Sequence, residues 1–401
     1  MKQEDIIQAA FSVWGRETYR KMSLSDVATK LGVTKPALYR HFRNKEALLD
    51  AMRTDFFNRY SLCLKNIIQL ASHPAPETER LLVVVTGLAD YYARNRDDLI
   101  YAFVRIFGQA DPDKLFIQEL KARGILLEML EGPHLKDPDT RAKSHFAIGT
   151  CFFGVAQFHM LHLAEQRLPT EAEIINLVEN IRILVAEGFA FSRKDIESLD
   201  FAALEKIAKL TKEECKPGDD LLPAVASAVA EAGPWNASME LVARLSGLSK
   251  SGLYAHFKSK EDMLKRLFLS EFERIVALAE DRSSHSAIPL ERLYLAMVAV
   301  TEYLRARPDV LVALDWVRVQ RLELGTLIPE GLTELFSFLE VAPLHREKRI
   351  PELGLSVTIQ WLLFLMVNML MHSTHKNCNK DPQDGRLHNL YKCIVFGLRG
   401  W

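Results

Sequence analysis

At 401 residues the chain is too long for one ordinary hydrophobic core, and this length predicts two or three domains. A hydrophobic content of 48% excludes a disordered chain, whereas a net charge of −1 does not exclude a nucleic-acid partner, because a local basic patch can lie within a neutral total. Five cysteines without a C-x-x-C motif favour a reducing cytoplasm over a disulfide framework, and the acidic residues Glu4 and Asp5 argue against a signal peptide.

The first elements in chain order are short helices joined by tight turns. Apolar residues recur every three or four positions, which predicts helices and almost no strands. Ser23 is suited to cap one helix, with Asp26 three residues later, and Gly32 permits a sharp turn after it. Thr34 is suited to cap the next short helix, in which Leu38 faces inward. This arrangement predicts a helix-turn-helix motif.

The outward side of the second short helix is basic. Between Gly32 and Lys45 there are four basic residues and no acids. A charge cluster on the exposed side of a helix-turn-helix is more often a phosphate-binding surface than a merely solvated one. The sequence therefore predicts a DNA-binding face here, with a purely structural motif as the alternative.

Two stretches without charged residues follow, at 146–164 and 353–374, and the second is near the length that spans a bilayer. Polar residues interrupt both stretches, namely Gln157, His159 and His162 in the first and Gln360, Asn368 and His372 in the second. Because polar groups are costly in a membrane, we interpret both as buried interface helices and expect no membrane span.

The region 194–218 is expected to connect two similar halves. A helix is predicted here by one apolar face, formed by Ile196, Leu199, Ala203, Ile207 and Leu210. The sequence Lys-Pro-Gly-Asp at 216–219 is expected to end this helix.

After the connector the earlier motif returns. The sequence VTKPALYRHFRNKEALL at 33–49 is matched by LSKSGLYAHFKSKEDML at 248–264, so that Leu38 corresponds to Leu253, 215 positions later. Gly247 takes the place of Gly32. The second copy has three basic residues between Gly247 and Lys260 and no acids. The net charge of positions 216–275 is zero, however, against +4 for positions 1–60.

These residues resemble the DNA-binding segment of the TetR family of bacterial transcriptional regulators. The similarity is close from Ile6 to Met52 and weaker from Leu222 to Leu267. It implies an all-α fold of two tandem TetR-like units, arranged as an intramolecular pseudo-dimer. The implied domains are helix-turn-helix DNA-binding domains at 1–50 and 219–266, helical ligand-binding and dimerisation domains at 51–193 and 267–401, and a helical linker at 194–218.

The resemblance also implies which residues contact DNA. In the first motif the residues expected at phosphates are Thr34, Lys35, Tyr39, His41 and Lys45, and those expected at base edges are Pro36, Ala37 and Arg40. In the second motif the phosphate set becomes Ser249, Lys250, Tyr254, His256 and Lys260, and the base-facing set becomes Ser251, Gly252 and Ala255. The second set lacks the arginine that is best suited to bidentate contact with guanine.

Other chemistry is less well supported. A small-molecule effector pocket, implied by the family, would be lined by Tyr91, Phe103, Phe107, Phe152, Phe153, Trp316, Trp361 and Phe364, although aromatic residues at helical spacing are more often core. A metal site could use His372, His375 and Cys378, with His388 and Cys393 nearby, but the spacing matches no strong zinc pattern and we expect neither metal nor cofactor. No catalytic motif is present, so we expect no enzyme.

The duplication suggests a function. Our hypothesis is a ligand-responsive regulator, most simply a repressor in the cytoplasm, that binds an asymmetric or pseudo-palindromic DNA operator as a single-chain pseudo-dimer. A further homodimer of chains is the rival assembly. The alternative function is a ligand-binding or scaffold protein whose second helix-turn-helix no longer binds DNA.

Overall fold

The computed structural model describes residues 2–14, 23–72, 76–106, 112–126, 138–189, 199–217, 221–233, 236–319, 355–374 and 386–400. Every regular element in these ranges is helical, which confirms the predicted all-α class. The helices of the first repeat are α1 (Gln3–Trp14), α2 (Leu24–Leu31), α3 (Lys35–Tyr39), α4 (Lys45–Ala71), α5 (Glu77–Arg94), α6 (Arg96–Tyr101), α7 (Pro112–Lys121), α8 (Pro138–Ala164) and α9 (Glu171–Glu187). A π-helical turn, Ala102–Ile106, follows α6.

The connector and the second repeat supply the remaining helices. These are α10 (Phe201–Ala208), α11 (Leu222–Ala232), α12 (Met239–Ser246), α13 (Lys250–His256), α14 (Lys260–Ser283), α15 (Pro289–Ala306), α16 (Pro308–Val319), α17 (Leu355–Thr374) and α18 (Arg386–Phe396). The order of helices in the second repeat follows that of the first, with α11 to α14 in the places of α1 to α4.

The chain forms two compact units whose boundaries do not coincide with the sequence repeats. The first compact unit comprises Met1–Asp137 and Gly154–Arg182, and the second comprises Pro138–Phe153 and Ile183–Trp401. The boundary therefore falls inside α8 and inside α9. The segments of both helices that belong to the second compact unit pack there against helices of the second repeat. The domain limits expected from the sequence stay a prediction.

An aromatic core holds the first compact unit together. Phe56 and Tyr60 of α4 are stacked with ring centroids 5.5 Å apart, and Tyr101 lies 5.2 Å from Phe56. Phe11 of α1 packs edge-on against Tyr101 at 5.1 Å. Aromatic pairs in these geometries are stabilising beyond the area they bury. The helix that precedes the helix-turn-helix is thus anchored on the same core as α4 and α6.

In the second compact unit, the two C-terminal helices of the second repeat pack against segments of the first repeat. Trp361 of α17 is fully buried and its Nε1 donates to Thr150 Oγ1 at 3.1 Å. Phe364 packs against Phe153 with centroids 5.6 Å apart. Where α9 and α18 end, Gly188 and Gly397 adopt left-handed φ values of 55° and 64°. A Cβ on either glycine would lie closer than van der Waals contact to backbone atoms at the other helix end.

The connector helix buries a different face from the one predicted. In α10 the buried residues are Leu204 and Ala208, whereas Ile207 is 41% exposed. Ala203 is also exposed. Leu199 is buried and Leu210 is half-buried, but both lie outside the helix, and Ile196 lies outside the described residues. The reason is Phe201, whose ring packs on Tyr294 at 4.9 Å and so turns the positions three and seven residues later inward. The helix ends at Ala208, well before Lys-Pro-Gly-Asp.

One helix of the described ranges is long and apolar enough to cross a membrane. It is Asp139–Ala164, and 56% of its apolar window is buried inside the protein. The apolar part of α17, Val357–Met371, is shorter. A buried core helix passes the same test of length and composition, so this single helix is weak evidence for a membrane span.

Candidate nucleic-acid interface

The first motif, residues 23–45, is built by local capping. The Asp26 amide donates to Ser23 Oγ at 3.3 Å, and the Ser23 amide donates to Asp26 Oδ2 at 2.6 Å, which completes a capping box. Hydrogen bonds from the Ser23 side chain and backbone lower the pKa of Asp26. Gly32 turns the chain with a φ of 67°, and the Val33 amide then donates to Ala28 O at 3.0 Å.

The second motif, residues 238–260, has the same backbone frame. Ser238 Oγ accepts from the Leu241 amide at 3.1 Å, and Gly247 has a φ of 72°. The Leu248 amide donates to Ala243 O at 3.1 Å, as Val33 does to Ala28 in the first motif. The inward-facing anchors Leu38 and Leu253 are both fully buried. Both copies are therefore complete helix-turn-helix motifs.

The two recognition helices, α3 and α13, are capped differently. Ser249 Oγ accepts from the Gly252 amide at 3.0 Å. Thr34 occupies the N-cap position of α3, as predicted, but its side chain makes no capping hydrogen bond. The capping role expected for Thr34 is therefore wrong. Pro36 in the first turn of α3 removes one of the amides that a cap would otherwise satisfy.

The long helices that follow each motif begin at a lysine. Asn44 Oδ1 accepts from the Ala47 amide at 2.8 Å, so that Lys45 starts α4. Ser259 Oγ accepts from the Asp262 amide at 3.1 Å, so that Lys260 starts α14. These caps fix where each long helix begins relative to the recognition helix before it.

Each recognition helix presents the predicted DNA-facing residues to solvent. Tyr39 is 46% exposed and Tyr254 is 49% exposed, which is unusual for large aromatic side chains in a packed domain. The other exposed members of the two predicted sets are Thr34, Lys35, Pro36, Arg40, Ser249, Lys250, Ser251, Ala255 and His256. Half-exposed members are Ala37, His41, Lys45, Gly252 and Lys260. Their contact with DNA stays a prediction.

The second motif contains one ion pair between its two short helices that has no equivalent at the matching positions of the first motif. Lys250 at the start of α13 forms an ion pair with Glu240 of α12. This hydrogen-bonded pairing lowers the pKa of Glu240 and raises that of Lys250. The corresponding Lys35 has its Nζ 6.0 Å from the Tyr39 ring centroid, and the position that corresponds to Glu240 is Ser25. Sequence reasoning missed this pair because its partners lie on different helices.

An exposed basic recognition helix behind a capped turn defines a helix-turn-helix DNA-binding protein. Residues 6–52 and 222–267 each match the family model described as bacterial regulatory proteins, tetR family. The chain therefore carries the DNA-binding unit of the tetR family twice, in tandem.

Two solved structures are similar to this chain. One is the fatty acid degradation regulator FadR from Bacillus halodurans, with 20% identity and a TM-score of 0.35 over 45% of this chain and 99% of that one. The other is the TetR family transcriptional regulator PfmR from Thermus thermophilus, with 23% identity and a TM-score of 0.30 over 45% of this chain and 99% of that one. At these values neither similarity supports a statement about function.

Behind the first motif, an ion pair with a buried acid joins α4 to α6. Arg59 Nη1 donates to Asp98 Oδ2 at 2.8 Å, and the Tyr91 hydroxyl donates to the same oxygen at 2.5 Å. Asp98 is 1% exposed, and burial raises the pKa of its carboxyl although both donors oppose this shift. The sequence around it, Arg-Asn-Arg-Asp-Asp, reads as a solvated charge run, which is why Asp98 was not predicted as a core residue.

Behind the second motif, the corresponding helices are joined with the charges reversed. Glu271 lies on α14, and Arg307 immediately precedes α16. Arg307 Nη2 donates to Glu271 Oε1 at 3.4 Å and to Asp309 Oδ2 at 3.0 Å, while the Tyr303 hydroxyl donates to Glu271 Oε2 at 2.6 Å. Both Glu271 and Arg307 are buried. Each helix that leaves a DNA-binding motif is thus tied by a buried ionic contact to the core behind it.

The residues predicted to line an effector pocket do not form one group. Tyr91 and Phe103 lie in the first compact unit, where Phe103 is buried. Phe153, Trp361 and Phe364 lie in the second, packed where α8 meets α17. Phe152 is half-buried. Phe107 and the side chain of Trp316 lie outside the described residues. The pocket stays a prediction.

The residues considered for a metal are only partly described. His375, Cys378 and the side chain of His372 lie outside the described residues. His388 packs on the Phe201 ring at 3.9 Å, and Cys393 is fully buried, which raises the pKa of its thiol. Within the described ranges no three histidine, cysteine or acidic side chains come together as metal ligands.

Proposed function

We propose that the chain is a ligand-responsive transcriptional repressor whose two helix-turn-helix motifs bind the two half-sites of one operator. One polypeptide supplies both motifs and so replaces the usual dimer. The operator is asymmetric or pseudo-palindromic, because the two recognition helices carry different base-facing residues.

The observation that carries this proposal is a reciprocal pair of hydrogen bonds in the second compact unit. The Phe189 amide donates to Ile394 O at 2.9 Å, and the Leu398 amide donates to Val185 O at 2.9 Å. Phe189 corresponds to Leu398, and Val185 to Ile394, each 209 positions apart. An interface between two identical chains repeats each contact in this reciprocal way. The same pattern within one chain is what a fused dimer is expected to have.

Side-chain contacts at the preceding helices support the same interpretation. Thr150 contacts Trp361, and Phe153 contacts Phe364. Each pair is separated by 211 positions, which is also the separation of the similar segments YARNR at 92–96 and YLRAR at 303–307. Residues that meet their own counterparts are typical of positions beside a two-fold axis. In the proposed pseudo-dimer these contacts form the centre of the helical interface.

Fusion of two motifs has a direct energetic consequence. Once one motif is bound, the second docks intramolecularly, at an effective concentration roughly in the millimolar range for a suitable connection. Half-sites one helical turn apart, about 34–36 Å centre to centre, suit this arrangement. A second recognition helix of modest affinity is sufficient under these conditions.

The buried ionic contacts behind the motifs support ligand responsiveness. The Arg59–Asp98 pair joins α4, which begins at Lys45, to the helical core of the same compact unit. An effector that competes for Arg59 or Asp98 would release α4 and move Lys45 away from its phosphate. Such competition is favourable only if the ligand binds one state better than the other.

The assembly can be tested by measuring the mass of the protein–DNA complex. The purified chain is first used to select binding sites from random duplexes, and the selected duplex is then titrated and analysed by light scattering. We expect one chain on each duplex and a site whose two halves differ. Two chains on each duplex, or a perfectly palindromic selected site, would contradict the proposal.

Base readout can be tested on the same duplex. Replacing Arg40 by Ala is expected to reduce discrimination at one half-site roughly 5- to 150-fold, because a bidentate contact contributes about 1–3 kcal/mol of base preference. The other half-site is expected to keep its preference. Ala255→Arg is the matched variant at the corresponding position of the second motif, and it is expected to add preference at the other half.

The alternative, a regulator or scaffold whose second motif no longer binds DNA, is favoured by two features of that motif. Ala255 replaces the arginine of the first motif, and Lys250 is already paired with Glu240. The same site selection separates the two functions, since a single conserved half-site would support the alternative.

A further inference from the structure

We propose that Glu240 restrains Lys250 and thereby weakens the second helix-turn-helix as a phosphate binder. Glu240 then sets the difference in DNA affinity between the two motifs. This inference rests on the proposed function, because it requires that the second motif face DNA.

The two motifs offer a matched comparison at this position. Their turns close with equivalent hydrogen bonds, from Val33 to Ala28 and from Leu248 to Ala243. Lys35 and Lys250 each occupy the first position of a recognition helix. Ten residues earlier, the first motif has Ser25 and the second has Glu240. Because the backbone frames agree, the difference in charge pairing follows from this one substitution.

The pair matters for binding rather than for folding. Both side chains are exposed, with 52% of Lys250 and 61% of Glu240 accessible, and exposed ion pairs contribute little to stability. A phosphate that approaches Lys250 must either displace Glu240 or accept a carboxylate beside it. In both cases fewer counterions are released on DNA binding than for an unpaired lysine.

Neighbouring positions reinforce the difference. Leu245, which is 41% exposed, stands where the first motif has Lys30, and Ala255 stands where it has Arg40. Arg244 stands where the first motif has Thr29, so residues 238–260 contain four basic residues against five in residues 23–45, with one acid in each motif. Lys250 is the cation of α13 itself, so its availability determines how strongly that helix is attracted to the backbone of DNA.

A weakened second motif is useful in a tethered pair. Two strongly cationic motifs on one chain would bind any duplex tightly, and non-specific sites vastly outnumber specific ones in a genome. With Glu240 in place, the first motif provides most of the encounter affinity. The second motif engages only where the first is already bound and the intramolecular concentration is high.

The test is a double-mutant cycle on a 30-base-pair duplex of random sequence, which needs no knowledge of the operator. Glu240→Ser is expected to raise affinity about three- to tenfold at low salt and to steepen the dependence of log K on log salt by about 0.9, the value for one added phosphate contact. In the Lys250→Met background, Glu240→Ser is expected to change affinity by less than about twofold, because Glu240 acts only through Lys250. If the two residues acted independently, the gain from Glu240→Ser would instead add to the effect of Lys250→Met.

The reciprocal variant is Ser25→Glu in the first motif. It is expected to pair with Lys35 and to lower affinity about three- to tenfold, with a salt dependence flatter by about 0.9. This loss should disappear in a Lys35→Met background. Melting curves of all variants check folding, and the exposed positions of Ser25 and Glu240 predict unchanged transitions.

The outcomes separate this inference from the function on which it rests. If Glu240→Ser leaves affinity unchanged while Lys35→Met weakens binding, the role of Glu240 is wrong and DNA binding by the first motif stands. If the gain from Glu240→Ser persists in the Lys250→Met background, general charge repulsion explains it and the inference is again wrong. If the wild-type chain binds no duplex at all, the proposed function itself is contradicted.

Discussion

The two helix-turn-helix motifs share a backbone and differ on the surface that faces solvent. Leu38 and Leu253 are buried to the same degree, and Gly32 and Gly247 adopt the same left-handed conformation. Around this common frame, Arg40 becomes Ala255. The frame positions are constrained by packing in both motifs, whereas the surface positions are constrained only by what each motif binds. The comparison teaches that the residues that build the common frame are not the residues in which the two surfaces differ.

The two helical cores also share a feature of their architecture while differing in the residues that provide it. In the first compact unit the arginine of the buried pair lies on α4 and the acid on α6. In the second, the acid lies on α14 and the arginine precedes α16. In both units an ionic contact links the long helix to the start of the next helix but one, although the positions of the charges are exchanged. The physical requirement is a satisfied ionic contact at this helix crossing, not a particular residue on a particular helix.

The largest expected difference between the cores concerns these ionic contacts. Glu271→Ala is expected to destabilise the second compact unit by about 3 kcal/mol, because Glu271 and Arg307 are both buried, Tyr303 loses its acceptor and Arg307 keeps only Asp309 as an acidic partner. Asp98→Ala is expected to cost the first compact unit only about 1–2 kcal/mol, since Arg59 is 34% exposed and keeps Asp55. Hydrogen exchange of peptides from each unit measures both effects.

A control for this comparison is Glu273→Ala on the exposed side of α14, which is expected to change stability by less than about 0.5 kcal/mol. Equal losses of stability for Glu271→Ala and Asp98→Ala would contradict the expected difference between the two cores.

A second difference concerns pH. The pKa of His159 is lowered to about 4 by burial, and its Nε2 lies 2.9 Å from Tyr92 O. In the unfolded chain the imidazole of His159 takes up a proton near pH 6.5, whereas in the folded chain it stays neutral until about pH 4. The stability that neutral His159 allows is therefore fully present above pH 6.5 and is lost as the pH falls towards 4. At pH 5 the loss is about 2 kcal/mol.

The matched position in the second repeat, 211 residues later, is Leu370. Only the first compact unit should therefore lose protection against hydrogen exchange between pH 7 and pH 5 through this group. His159→Gln is expected to reduce that loss. An unchanged pH dependence in this variant would assign the effect to other groups.

The smallest expected difference concerns the caps of the recognition helices. Ser249→Ala is expected to destabilise the second motif by about 1 kcal/mol, because its hydroxyl accepts from the Gly252 amide. Thr34→Ala removes no capping bond and is expected to change stability by less than about 0.5 kcal/mol. Thermal melting of the two variants compares them directly. A larger loss for Thr34→Ala would mean that Thr34 caps α3 after all.

Local patterns predicted the DNA-binding frames well. Ser23 with Asp26, Gly32 and Leu38 act within a few residues of one another, so that spacing along the chain is enough to predict their roles. The buried face of the connector helix was predicted wrongly because the orientation of the helix depends on the contact of Phe201 with Tyr294, almost a hundred residues away. Periodicity gives an apolar stripe but does not choose between two overlapping ones.

The charged contacts were beyond sequence reasoning for a related cause. Asp98 lies in a run of charged residues, and only the fold brings it under Arg59 of α4. Glu240 and Lys250 are ten positions apart on separate helices, a separation that matches no helical spacing rule. Comparing the two copies position by position would have drawn attention to Ser25 and Glu240, because the frame around them is otherwise retained.

The glycines that end α9 and α18 have a genetic consequence. In a dimer of identical chains one codon specifies both sides of a close backbone approach, and any mutation alters the two sides at once. Here Gly188 and Gly397 are separate codons, so a mutation alters one side while the other keeps its original fit. Each half can then be repaired by changes in its neighbour, and the two sides are free to diverge in small steps.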